Sequence, residues 1–142
     1  MSKGTVYYTP GEISRTLRAE LRERFPGLRF RQRLDSYSMG ASINVHVHPD
    51  QADRLEAVRE VARRYQWGGF DGTIDLGYSL SAWVDERGRP VAFARSAGTV
   101  GSRGIHPAID DPAPAEGLVE ARGGVDYVFV DADPWHWREG AK

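Results

Sequence analysis

The sequence contains no cysteine, and that absence closes several routes. Disulfides, thiolate zinc sites and a cysteine nucleophile are all excluded. Long apolar runs are missing too, since nothing approaches the roughly 20 residues needed to cross a bilayer. The first residues, M-S-K-G-T-V-Y-Y-T-P, lack the apolar stretch and small-residue cleavage site of a secretory signal. A cytoplasmic location, with no membrane partner, is therefore the default expectation. Net charge is nearly absent, at −1, so the chain as a whole has no general attraction to nucleic acid. What remains is 142 residues, 40% hydrophobic and 27% charged. That is the length and composition of one soluble domain spanning residues 1–142.

The small net charge hides a split. Met1–Arg33 carries eight Lys/Arg against three Asp/Glu, whereas Asp110–Lys142 carries three against eight. A basic binding face, an acidic mimic face and two mutually neutralising ends all fit, and neutralisation is the ordinary outcome. The mimic would be built from Asp110, Asp111, Glu116, Glu120, Asp126, Asp131 and Asp133.

Local patterns give an α-β-β-α core followed by further strands. Thr9, Pro10 and Glu12 form a capping box at the start of a helix. Ile13, Leu17, Leu21 and Phe25 mark its buried stripe, and Pro26-Gly27 ends it. Leu28 to Leu34 alternates as a half-buried strand, with Arg29, Arg31 and Arg33 on its outer face. After a bend at Ser36–Gly40, Ser42 to His48 alternates again. Ile43, Val45 and Val47 share one face, and Ser42, Asn44, His46 and His48 share the other. The two strands predict an antiparallel hairpin. A second helix is expected from Pro49-Asp50 to about Gln66, packed through Leu55, Val58, Ala62 and Tyr65 and stopped by Gly68-Gly69. Phe70-Asp71-Gly72 then reads as a turn with Phe70 in the core and Asp71 bonded to the turn backbone. A short segment at Ile74–Tyr78, a hairpin at Ser81–Glu86 and Pro90–Ser96, an irregular loop at Gly98–Gly117 and a strand at Val125–Val130 complete the pass. The economical architecture is α+β, with two helices on one face of a mainly antiparallel sheet.

Three segments carry a family pattern: Phe25-Pro26-Gly27, Gly40-Ala41-Ser42-Ile43-Asn44-Val45, and Phe70-Asp71-Gly72 with Asp75. In this order and spacing the stretch from Thr9 to Tyr78 resembles the large polyvalent protein-associated domains, specifically the one numbered 29. The resemblance implies a part of very large multidomain proteins of phages and conjugative elements, with roles in counter-defence and interaction and no accepted catalytic residue. This chain departs from the pattern at His46-Val47-His48-Pro49-Asp50, where the family carries W-x-D-G-P-T.

Several groups of residues are candidates for chemistry. His46 and His48 lie two apart on a strand and make a usable ligand pair for a metal. A third ligand is open among Asp50, Asp71, Asp75 and His136, with His46, His48 and Asp75 as the working set; the ordinary alternative is two surface histidines. Asp71 and Asp75 would suit acid–base work or magnesium, although Asp and Gly suit tight turns without it. Arg15, Arg18, Arg22, Arg29, Arg31 and Arg33 would suit phosphate backbones, with Tyr37 stacking a base; solvated arginines are the plain alternative. Trp135 and Trp137 either strap the tail over the core or anchor a partner. Gly98–Gly104 lacks the phosphate-loop pattern. The leading expectation is a non-enzymatic interaction protein of a mobile genetic element, needing no cofactor and acting on a protein partner. A nucleic-acid-binding protein comes second, and a metal-dependent enzyme at His46 and His48 third.

Overall fold

Val6–Tyr8 forms a short strand, β1, and Thr9 then turns the chain into helix α1, Pro10–Arg24. The structure is a computed structural model that describes residues 5–38 and 40–138. Met39 of the expected bend, and Lys3, Glu139 and Lys142 of the charge count, lie outside the described residues. The capping box is closed: Glu12 N donates to the Thr9 hydroxyl at 3.2 Å, and Thr9 N donates to the Glu12 carboxylate at 2.9 Å. Ile13, Leu17 and Leu21 are fully buried. Their burial stabilises by roughly 1.5–3 kcal/mol each, against about 1 kcal/mol for a cap. The stripe therefore decides where α1 lies, and the cap decides where it begins.

β2 (Phe30–Tyr37) and β3 (Gly40–Val47) form the expected antiparallel hairpin, in register from Phe30 opposite Val47 to Tyr37 opposite Gly40. The second helix is shorter than its pattern suggests. Pro49–Arg54 is 3-10, Gln51 leaves helical geometry, and α2 proper is Leu55–Arg63. Competing hydrogen bonds explain the break. The Gln51 side chain accepts from Arg29 N at 2.7 Å and donates to Gly27 O at 3.0 Å, tying the turn to the start of β2. Gly68-Gly69 does not stop a helix either. It opens β4 (Gly68–Asp71), which pairs with β5 (Leu76–Ser79). Here Phe70 is 49% exposed instead of in the core, whereas Asp71 bonds the turn backbone at Thr73 N as expected and is fully buried.

β6 (Ser81–Val84) and β7 (Pro90–Ser96) form a hairpin whose turn is held by the Asp85 carboxylate, which accepts from Arg87 N and Arg89 N. The loop expected as irregular contains a 3-10 turn at Val100–Ser102 and a two-residue strand, β8 (Ile109–Asp110). β9 (Val119–Gly123) and β10 (Tyr127–Asp131) precede a final 3-10 turn, Pro134–Trp137.

The fold is α+β, as expected, and most strand pairs are antiparallel. Its strands are shared among three sheets: β1-β9-β6-β7-β8, β10-β3-β2 and β4-β5. β1 runs parallel to β9, and β10 parallel to β3. One core joins them. It takes Ile13, Leu17 and Leu21 from α1, Ile43, Val45 and Val47 from β3, and Val58, Val61 and Ala62 from α2. Ala82, Val84 and Ala121 extend it to the five-stranded sheet, with Tyr65 and Trp67 between. A buried carboxylate sits inside this apolar setting. Glu20 is 2% exposed, accepts a hydrogen bond from the Tyr65 hydroxyl and pairs with Arg24. Burial, followed by the hydrogen bond to Glu20, pushes the Tyr65 hydroxyl far above its ordinary range.

Candidate functional site

Because alternate residues of a strand face alternate sides, the register of β2, β3 and β10 lines up their outward side chains. Arg31, His46 and Asp131 form one row, and Arg33, Asn44 and Phe129 the next. Asp35, Ser42 and Tyr127 form a third. The arginines of this face are largely committed. Arg33 Nε lies 3.1 Å from Asp35, and Arg29 lies 3.6 Å from Asp50. Arg31 donates to His136 O at 2.7 Å and stands over the Trp137 ring at 4.5 Å. Arg18 reaches the backbone at Gln32 O, on the helix side of the sheet. Arg15 and Arg22 on α1 are exposed, without an ion pair among the described residues. Tyr37, 47% exposed, stands at the far end of β2.

His46 and His48 have different surroundings. His46 is 7% exposed; its Nδ1 lies 3.0 Å from Asp131, and its ring stacks on His136 at 3.6 Å. His48 caps the following turn, its Nδ1 accepting from Asp50 N at 3.1 Å, with its ring against Trp137. Asp75 is exposed in the turn between β4 and β5, with a left-handed φ of 54°. Asp71 is bound up in structure. Its carboxylate accepts from the Thr73 and Thr99 hydroxyls, and from Thr73 N and Ile105 N. These bonds, the Thr73 and Thr99 hydroxyls foremost, hold its carboxyl well below the usual carboxylate range. Asp71 thereby ties the β4–β5 turn to the loop at 99–106. Of the tail aromatics, Trp137 packs on Arg31 and His48, whereas Trp135 is 52% exposed beneath Arg138.

Gly40, of the second motif segment, and Gly68, just ahead of the third, come together elsewhere, at Asp126. A Cβ on Gly40 would lie 1.7 Å from the Asp126 carboxylate, and one on Gly68 would lie 2.8 Å from it. The carboxylate therefore threads between two strands at positions where a side chain cannot fit. Among the described residues, it accepts no hydrogen bond. Gly69 makes room in the same way for the Tyr78 ring, which a Cβ there would meet at 2.4 Å. The result is a groove of about 610 Å³ lined by Tyr37, Phe70, Asp75, Tyr78, Asp126 and Tyr127. Burial, then the charge of Asp126, raises the Tyr37 hydroxyl above its ordinary value, and burial likewise raises Tyr78. A neighbouring cleft of about 680 Å³ shares Tyr37, Ser79 and Asp126 with the groove and adds Tyr7, Arg95 and Arg122.

The bend before Ile43 and the G-G-F-D-G segment thus supply the walls of one groove. The chain matches the family model described as Large polyvalent protein associated domain 29 over residues 8–133. It belongs to that family. The family domain runs well past the motif-bearing stretch at Thr9–Tyr78, so Tyr78, Asp126 and Tyr127 all fall within it, while Trp135, His136 and Trp137 lie beyond. Domains of this family are linked to mobile genetic elements. No curated protein and no solved structure matches the chain. Among the described residues, no helix is long and apolar enough to cross a membrane. The sequence singled out Tyr37, Phe70 and Asp75 in this groove, each for another role, and Asp126 only as part of an acidic face, but not Tyr78 or Tyr127. The available signal was the Gly68-Gly69 doublet, which marks close approach as readily as a helix stop.

Proposed function

We propose that the chain is a non-enzymatic interaction module of a mobile genetic element, which captures a protein partner in the tyrosine-lined groove. A lysine or arginine of that partner would sit between Tyr37, Tyr78 and Tyr127, against the Asp126 carboxylate. The observation that supports this reading is a carboxylate that accepts no hydrogen bond among the described residues, in a groove lined by three tyrosines. Aromatic faces attract a cation electrostatically, by about 0.5–2 kcal/mol each according to exposure. A carboxylate at the base adds a charge-assisted hydrogen bond. Phe70, 49% exposed on the groove wall, offers apolar contact, as the aromatic anchors of interfaces do. The mobile-element association favours a host partner, and counter-defence is the role that fits it.

The charge distribution weighs against nucleic acid here. The groove is lined by Asp75 and Asp126 with no Lys or Arg among its lining residues, and phosphate backbones need the opposite sign. The test is fluorescence titration with lysine- and arginine-containing peptides, acidic peptides and single-stranded oligonucleotides. Basic peptides should bind, and Asp126→Asn should weaken them about tenfold or more. Oligonucleotide binding that weakens steeply with salt and is lost in Arg29→Ala/Arg31→Ala/Arg33→Ala would replace this reading with the nucleic-acid one.

A further inference from the structure

We propose that His46, Asp131 and His136 form a binding site for a divalent transition-metal ion, zinc being the natural occupant. These residues come from β3, β10 and the final 3-10 turn, and one ligand atom from each lies within 4.8 Å of the others. Two imidazoles and a carboxylate are the donor set that suits zinc and its neighbours. The His46 Nδ1 and an Asp131 oxygen are already 3.0 Å apart. That is close to the separation of two ligands sharing one ion at about 2.1 Å. The ion would take the place of the proton now on His46 Nδ1; that proton would pass by way of solvent to Nε2, leaving a neutral imidazole as the ligand.

His136 must then move, because rings stacked 3.6 Å apart and 16° from parallel do not aim their nitrogens at a common point. It is free to do so. His136 sits on a four-residue turn with no buried residue, so its ring can tilt without disturbing the core. A cavity of about 80 Å³ beside His46 and His136, on the β2 side of His46, leaves the His136 ring space to move. The two cations at its rim are drawn aside, Arg31 by His136 O and the Trp137 ring, Arg33 by Asp35. His48 takes no part, since its Nδ1 is the acceptor of the Asp50 N–H. Metal binding would therefore pin the final turn to the outer face of β3 and leave the tyrosine-lined groove open.

The test is calorimetric titration of tag-free, full-length protein with zinc chloride, at neutral pH where imidazole ligates. Binding of one zinc per chain is expected, with affinity lost by about 100-fold or more in His136→Ala. His48→Ala should bind like the parent. His136 lies outside the core, so its variant will fold, and an unchanged melting temperature without metal confirms that. Absence of heat at millimolar zinc would overturn the proposal. So would loss of binding in His48→Ala with binding kept in His136→Ala, which would assign the ion to the H-x-H pair instead.

Discussion

Asp71 shows how much a single side chain organises here. Four donors converge on a carboxylate that is fully buried, so its ionised form is favoured in the fold and its folded pKa lies below the unfolded one. Such a group adds stability in full above the unfolded value, about pH 4, and loses it as pH falls through the folded value. Asp71→Asn should melt roughly 5 °C or more below the parent at neutral pH. The gap should close as pH falls below about 4, and melting curves between pH 7 and pH 3 test this. A gap that is constant with pH would show that shape rather than charge is lost. Asp71 was legible in the sequence as a turn-bonding residue, but its reach to Thr99 and Ile105 was not, because those contacts span 28 and 34 residues. Phe70 was misread for a related reason. In a short strand, period-2 alternation alone cannot say which of two neighbours turns inward, and four donors outweighed one ring. Gly69→Ala should leave melting within a few degrees, since its Cβ meets only the far end of the Tyr78 ring. Displacing that ring should weaken basic-peptide binding about tenfold.

At the scale of elements, the segments with complete local signals formed where their patterns placed them. α1 carried both a capping box and a 3.6-residue stripe, and the β2–β3 hairpin had two alternating runs in register. Thr9→Ala should cost about 1 kcal/mol in urea unfolding without changing the fold, because the Ile13, Leu17 and Leu21 stripe remains. α2 was legible in its face but not in its start, because Gln51 hydrogen-bonds across to Arg29 and Gly27 instead of continuing a helix. β1 and β9 left almost no signal. Three residues, V-Y-Y, and the mixed V-E-A-R-G have too little alternation to read, and each is a strand because the other lies beside it. Parallel pairing of this kind, like that of β10 with β3, depends on contacts more than a hundred or some eighty residues apart. Local periodicity has no access to such contacts.

For the whole molecule, the opposed charges at the two ends of the sequence are partly used up within the fold. At the basic end Arg24 pairs with Glu20, Arg29 with Asp50 and Arg33 with Asp35. Two carboxylates of the acidic end are engaged as well. Glu120 is taken by Arg95 and Ser81, and Asp131 by His46. Asp126 is different. Gly40 of a family motif and Gly68 outside it clear space for its carboxylate, and three tyrosines line the groove beside it. The proposed site could not be read from the sequence because Tyr37, Tyr78 and Tyr127 come from three strands in two sheets. Only the pairing of β10 with β3 brings Tyr127 and Asp126 beside the bend. The most direct measurement is the affinity of an arginine- or lysine-containing peptide for the parent and for Asp126→Asn, read beside their melting temperatures. The account predicts equal melting within a few degrees and binding weakened about tenfold or more in the variant. Equal affinity in the two proteins, or binding by acidic peptides alone, would contradict it.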